Sequence, residues 1–243
     1  MLFRSVVKGC AEFFYIFWGA IKAGVIPVPV NTIWRAKDYQ YVLEDSQCAA
    51  VFYSSDFAGE VEPAQAAGAH RPAHALCVDG EGENLVRLMA QASGEAAPAA
   101  RTAPGDDCFW MYSSGSTGAP KGVVHSHKAM AATSYYFGEG ALGITEDDIC
   151  FSAAKLFFAY GLGNALTFPL WTGGQAVLLT ERPTAASVLA AIETYRPSVY
   201  FGVPTLYAAQ LQHMENATTD VSSVRTFVSA GEALPSKIFE RWQ

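Results

Sequence analysis

Between positions 113 and 122 the chain reads Ser-Ser-Gly-Ser-Thr-Gly-Ala-Pro-Lys-Gly. Ser113, Ser114, Ser116 and Thr117 supply hydroxyls, Lys121 an ammonium, and Gly115, Gly118 and Gly122 a backbone free to adopt positive φ. Such a backbone can turn successive N–H groups inward, so the run has the parts of a cradle for an anion such as a phosphate. The P-loop spacing G-x-x-x-x-G-K-[ST] is not met, because the fifth residue after Gly115 is Pro120 and Lys121 is followed by Gly122. The hydroxyl that would hold Mg²⁺ in that motif is therefore missing. On the residues alone, a phosphate cradle and an ordinary surface loop stand as equal readings. Pro120, Lys121 and the apolar flanks argue against a flexible linker.

Other residues invite chemistry less strongly. His125 and His127 would share a face of an extended segment, but no third metal ligand is in view, and no metal site is assigned. The pairs Asp106-Asp107 and Asp147-Asp148 each adjoin a strand start and read as solvated turns. The five cysteines are scattered with no C-x-x-C pair, which fits reduced core thiols. Ser229-Ala-Gly-Glu before Pro235 reads, by itself, as punctuation between a strand and a helix.

These residues need elements to position them. Cys108 to Tyr112 reads as a buried strand running into the Gly/Ser loop, and Ala129 to Tyr136 as a helix after it. Phe13 to Ala20 is a core helix ending near Gly24, with Val25 to Val30 a strand. Tyr39, Val42 and Leu43 mark a helical face. Strands follow over Ala49–Tyr53, Ala75–Val78, Gln175–Leu179, Ser198–Gly202 and Val224–Ser229, with helices over Glu81–Ala92, Thr184–Tyr195 and Pro204–Met214, and another from Pro235. Ser93 to Gly105 is an Ala/Pro/Gly-rich connector. Met1 to Ala11 shows no clear period and is left as an N-terminal segment of uncertain role. Alternating strand and helix predicts an α/β protein with mainly parallel sheets.

Composition sets the frame. With 243 residues, 51% hydrophobic and 16% charged, the chain can bury a substantial core. A formal charge of −7 without a long Lys/Arg run speaks against nucleic acid as a partner. The apolar stretch after Arg4 and Lys8 is shorter than the ~20 residues of a membrane span, so no membrane partner and a cytoplasmic location are expected.

Three stretches together carry a resemblance: Tyr112–His127 (YSSGSTGAPKGVVHSH), Lys155–Leu170 (KLFFAYGLGNALTFPL) and Ser229–Pro235 (SAGEALP). In order and spacing they resemble the adenylate-forming superfamily of acyl-CoA synthetases, peptide-synthetase adenylation domains and luciferases, and within it the benzoate–CoA ligase branch. The resemblance covers nearly the whole chain, including Phe17–Thr32. It implies part of a large N-terminal α/β domain with stacked, mainly parallel sheets and flanking helices, spanning residues 12–243.

It also implies a reaction: a carboxylate attacks the α-phosphate of ATP to give an acyl-adenylate and pyrophosphate, and the thiol of coenzyme A then displaces AMP. The substrates would be ATP, coenzyme A and a small aromatic carboxylate, with Mg²⁺ required. Ser113, Ser114, Gly115, Ser116, Thr117, Gly118 and Lys121 would wrap the β- and γ-phosphates, with Thr117 and Lys121 assisting catalysis. Gly231, Glu232 and Ala233 would lie against the adenine. Phe158, Ala159, Tyr160 and Gly163 would line the acyl pocket. Many relatives carry a histidine where Phe158 stands, so that histidine's role does not transfer. Phe157 is assigned to the core. Rival expectations are a synthetase for another acid, an adenylation domain loading a carrier protein, and a truncated module that binds ATP or an aromatic acid without turnover. The family's metal-binding glutamate, ribose-binding aspartate and mobile C-terminal lysine are expected beyond Gln243, so the chain alone is expected not to form acyl-CoA. Oligomeric state is left open.

Overall fold

The computed structural model describes residues 1–113 and 120–242. They fall into two compact units, Met1–Ala129 and Met130–Gln243.

The first unit is built on a parallel sheet. In chain order it runs β1 (Leu2–Val6), α1 (Ala11–Lys22), β2 (Ile26–Pro29), α2 (Ala36–Ser46), β3 (Ala50–Tyr53), α3 (Ala58–Ala67), β4 (His74–Cys77) and α4 (Leu85–Gln91). The strand order is β2-β1-β3-β4, all parallel, with Leu2 opposite Ile26 and Phe3 opposite Ala50. Helix α1 buries Phe13, Ile16 and Phe17, as its apolar spacing predicts. Helix α2 buries Tyr39, Val42 and Leu43, which pack with Val51 and Val61 into one core. The hairpin β5 (Asp107–Ser113) and β6 (Lys121–Ser126) follows, antiparallel, with Tyr112 opposite Gly122 and Ser113 opposite Lys121.

Residues 1–11, without a visible period in the sequence, supply β1, an inner strand. The period is hidden because two polar residues in it, Arg4 and Ser5, are themselves buried. The helix expected over Glu81–Ala92 is shorter, because Asn84 caps it: its Oδ1 accepts the Arg87 N–H at 2.9 Å. Helix α3 was not anticipated, since Pro63 interrupts it and it buries just Val61 and Ala64.

Helix α5 (His127–Thr133) leads into a π-helical stretch, Ser134–Ala141, where one regular helix over Ala129–Tyr136 is predicted. The second unit then runs β7 (Ile149–Ser152), α6 (Ala159–Leu162), a π-helical turn (Gly163–Thr167), α7 (Phe168–Thr172), β8 (Gln175–Val177), α8 (Ala185–Tyr195), β9 (Val199–Gly202), α9 (Pro204–Met214), β10 (Thr226–Ser229) and α10 (Ser236–Trp242). Its sheet order is β10-β9-β7-β8, again all parallel. β9 is central and buried throughout, which explains its continuous apolar reading. Helix α8 is capped by Thr184, whose Oγ1 accepts the Ser187 N–H at 3.1 Å, and α9 begins at Pro204.

One expectation is corrected here. Asp148 is not part of a solvated turn. Its carboxylate is buried and accepts from Arg225 Nη2 at 2.7 Å, Arg225 Nε at 3.0 Å, Ser198 Oγ at 2.6 Å and the Thr145 N–H at 2.9 Å. Adjacent acidic residues looked alike in sequence; their partners lie 50 and 77 positions away.

Candidate functional site

In the first unit the candidate residues sit on the stems of the β5–β6 hairpin. Ser113 ends β5, Lys121 begins β6, and the two are register partners, both exposed. Ser114, Gly115, Ser116, Thr117 and Gly118 lie outside the described residues. The stem is anchored by Tyr112, whose hydroxyl donates to Asp45 Oδ2 and accepts from Arg4 Nη2 at 2.8 Å. Burial together with Asp45 pushes the Tyr112 phenol up to about 12, against the opposing pull of Arg4. His125 is spent on packing. Its ring stacks on Phe109 at 4.6 Å with 2° between planes, and burial lowers its pKa. His127 opens α5.

In the second unit the candidates gather at the carboxyl edge of the parallel sheet, where α/β proteins place ligands. Register puts the strand ends side by side: Ser152 of β7 faces Phe201, and Ser229 of β10 faces Gly202 of β9. Segment 158–160 leaves this edge after β7, and Gly231, Glu232 and Ala233 leave it after β10. Tyr160 joins the two. Its hydroxyl lies 3.1 Å from the Gly202 carbonyl and 3.2 Å from the Val228 carbonyl, while its ring meets Phe201 edge-on at 6.2 Å. Its phenol is held well above the usual range by burial, so it stays protonated.

Phe158 caps α6 and leaves 46% of its surface exposed, whereas Phe157 is buried, as assigned. Gly231 adopts φ +94°, a Cβ there would meet only Val203 Cγ1, at 3.9 Å, and Glu232 and Ala233 are exposed. A Cβ at Gly163 would come within 3.0 Å of the Phe168 ring.

Sequence reasoning missed several contributors. Gly161 is the most constrained, since a Cβ would lie 2.2 Å from the Lys155 carbonyl oxygen. Lys155 itself donates to the carbonyls of Leu179, Thr180 and Glu181, and burial pushes its amine down to about 8. At the sheet edge Ser152 Oγ, Ser229 Oγ and, in the π-turn packed on β7, Asn164 Nδ2 are buried without a hydrogen-bond partner among the described residues. Unpaired polar atoms of this kind mark places where a ligand or water completes the structure. Nothing in their sequence context distinguishes them from core-filling residues. Among the described residues no three His, Cys, Asp or Glu side chains gather as a metal-binding set, so no residue here is assigned to the implied Mg²⁺.

The sequence profile of the AMP-binding enzyme family matches residues 6–243. This chain belongs to that family. Among curated AMP-binding relatives, a benzoate–CoA ligase of Thauera aromatica is 44% identical over 227 residues, covering 93% of this chain and 43% of that protein. Among solved structures, a benzoate CoA ligase from Burkholderia xenovorans LB400 superposes with a TM-score of 0.87 at 38% identity, over 99% of this chain and 47% of that one. The anthranilate CoA ligase AuaEII in complex with anthranoyl-AMP superposes at 0.93 with 32% identity, over 99% and 47%. The chain thus spans less than half the length of these relatives. The α/β fold with parallel sheets and flanking helices is that of the family's N-terminal part. Among the described residues no helix is long and apolar enough to cross a membrane.

Proposed function

We propose that the protein takes part in the ATP-dependent activation of an aromatic carboxylic acid, benzoate or a lightly substituted relative, first to an acyl-adenylate and then to its coenzyme A thioester. The observation that carries this is Tyr160, which ties the aromatic segment 158–160 to the ends of β9 and β10, and so to Gly231–Ala233. Aromatic wall and adenine segment share one sheet edge. The similarity to ligases named for benzoate and anthranilate supports the same class of acid.

In the first step a carboxylate oxygen bonds to the α-phosphorus and the bond to pyrophosphate breaks. In the second, the thiolate sulfur attacks the acyl carbon and AMP leaves. Lys121 and Ser113, with Ser114, Gly115, Ser116, Thr117 and Gly118, would take up the negative charge that grows on pyrophosphate. Fixed donors of this kind are commonly worth about 10² to 10³ in rate. Phe158 has no polar hydrogen; with Ala159 and the Tyr160 ring it offers a flat apolar surface beside a small residue. Mg²⁺ would supply charge neutralisation to the phosphates when bound.

The test is a ligase in which this chain replaces the matching segment of the Thauera aromatica enzyme. Benzoate-dependent exchange of pyrophosphate into ATP is expected, with benzoate favoured over hexanoate by about 1 to 3 kcal/mol. Lys121→Ala and Thr117→Ala should slow exchange more than they raise the KM for ATP. Better activation of hexanoate, or benzoate kinetics untouched by Ala159→Leu, would remove the pocket assignment. Unchanged exchange in both loop variants would remove the phosphate assignment.

A further inference from the structure

The hairpin that presents Ser113 and Lys121 is fastened by helix α2 in a way the reaction chemistry does not require. Tyr41 and Asp45 lie four residues apart on α2, hence on one face. Tyr41 donates its hydroxyl hydrogen to the Pro120 carbonyl at 3.3 Å, on the second stem. Asp45 Oδ2 accepts the Tyr112 hydroxyl, on the first stem. Gly122 completes the second stem, so close to Tyr112 that a Cβ there would stand 3.3 Å from the phenol ring.

Behind the pair sits Arg4, with no exposed surface. Its Nη2 donates to Tyr112 Oη at 2.8 Å and to the Val42 carbonyl at 3.0 Å, its Nε to Ser46 Oγ at 2.9 Å, and its guanidinium centre lies 4.5 Å from the Tyr112 ring centroid. Arg4 Nη1 has no partner among the described residues. A core position filled for stability alone is served as well or better by an apolar side chain, because a buried ion carries a desolvation penalty. Arg4 instead directs Nε and Nη2 to α2 and to the phenol of Tyr112, the residue before the end of β5.

We propose that α2, through Tyr41 and Asp45 with Arg4 behind them, clamps both stems of the β5–β6 hairpin and so positions Ser113 and Lys121 for a phosphate ligand. The proposal deepens the phosphate reading above and rests on it. Arg4, Tyr41, Asp45 and Tyr112 are positioning residues: they touch the stems, and a displacement of about 1 Å at a reacting group can lower rate by about 10²-fold.

The experiment uses the 243-residue chain and inorganic pyrophosphate as probe, with calorimetric titration and amide hydrogen exchange read side by side. Tyr112→Phe keeps the ring and removes both hydrogen bonds; Tyr41→Phe removes the other anchor. Each is expected to weaken pyrophosphate binding by about tenfold or less, the worth of one hydrogen bond, to leave AMP binding unchanged, and to speed exchange at Ser113, Lys121 and Gly122 while β1 and β3 exchange as before. Asp45→Ala should behave like Tyr112→Phe, and Asp45→Asn, which keeps an acceptor oxygen, should restore binding. Lys121→Ala checks the underlying reading, because it should abolish pyrophosphate binding. If Lys121→Ala abolishes binding while Tyr112→Phe and Tyr41→Phe change neither affinity nor stem exchange, the clamp is wrong and the phosphate reading stands. If Lys121→Ala has no effect, the phosphate reading falls, and unchanged stem exchange in the tyrosine variants then overturns the clamp as well. Acceleration spread evenly over the unit would show a merely structural role and overturn it too.

Discussion

Gly161 and Tyr160 are neighbours with opposite legibility. Tyr160 stands out in sequence as an aromatic residue in a matched stretch, although its two carbonyl partners, 42 and 68 positions away, are invisible there. Gly161 looks like any helix-breaking glycine. In the structure it admits the carbonyls of Lys155 and Ala154, which a Cβ would meet at 2.2 and 2.5 Å. Backbone cannot yield as a side-chain tip can, so Gly161→Ala is expected to destabilise the chain by about 3 kcal/mol, measured as a lower urea midpoint. An unchanged midpoint would mean that the turn rebuilds freely. Tyr160→Phe should be milder, about 1 kcal/mol for the lost hydroxyl contacts. Where segment 158–160 lines the acid site as proposed, the variant keeps the flat ring surface, and the expected preference for benzoate over hexanoate should persist in it.

At the scale of elements, the fold was legible wherever apolar period and capping chemistry agreed. α1, α8, α9 and β9 lie, within a few residues at their ends, where Phe13–Ala20, Thr184, Pro204 and Ser198–Gly202 predict them. It was hidden where polar residues are buried, as with Arg4 in β1, or where a helix lacks an apolar face, as in α3. The same blindness concealed the pin between β7 and the start of β10. Arg225 holds the buried Asp148 carboxylate well below the usual carboxylate range, so in acid the unfolded chain takes up this proton before the folded one does. The pin's contribution is therefore complete above the ordinary aspartate value of 3.8 and is lost as pH falls below it toward the lowered folded value. Because Arg225 is 43% exposed, Asp148→Asn is expected to cost about 2 kcal/mol, less than a fully buried pair. In denaturant titrations the gap between wild type and Asp148→Asn should narrow below pH 3.8; a gap constant from pH 7 down to pH 2 would refute the assignment.

For the molecule as a whole, composition predicts a substantial core but does not divide it. Residues 12–243 read as part of one large domain; the described residues form two compact units, and the division falls inside α5, where no glycine, proline or charge run marks it. The thiols report on the two cores separately. Cys48, Cys108 and Cys150 are buried, Cys10 and Cys77 partly so. Burial pushes Cys108 up to about 11 and Cys150 to about 12, and burial with the neighbouring Glu12 pushes Cys10 to about 11. The reactive form is the thiolate, so these groups are slow even where reagent reaches them. At pH 8 a disulfide reagent is expected to label Cys77 first and all five thiols only in denaturant, with Cys108 reporting the opening of the first unit and Cys150 that of the second. Mass mapping of the labelled peptides against denaturant concentration measures both openings in one sample. Labelling of native Cys108 or Cys150 at the rate of Cys77 would mean that the corresponding core is not closed.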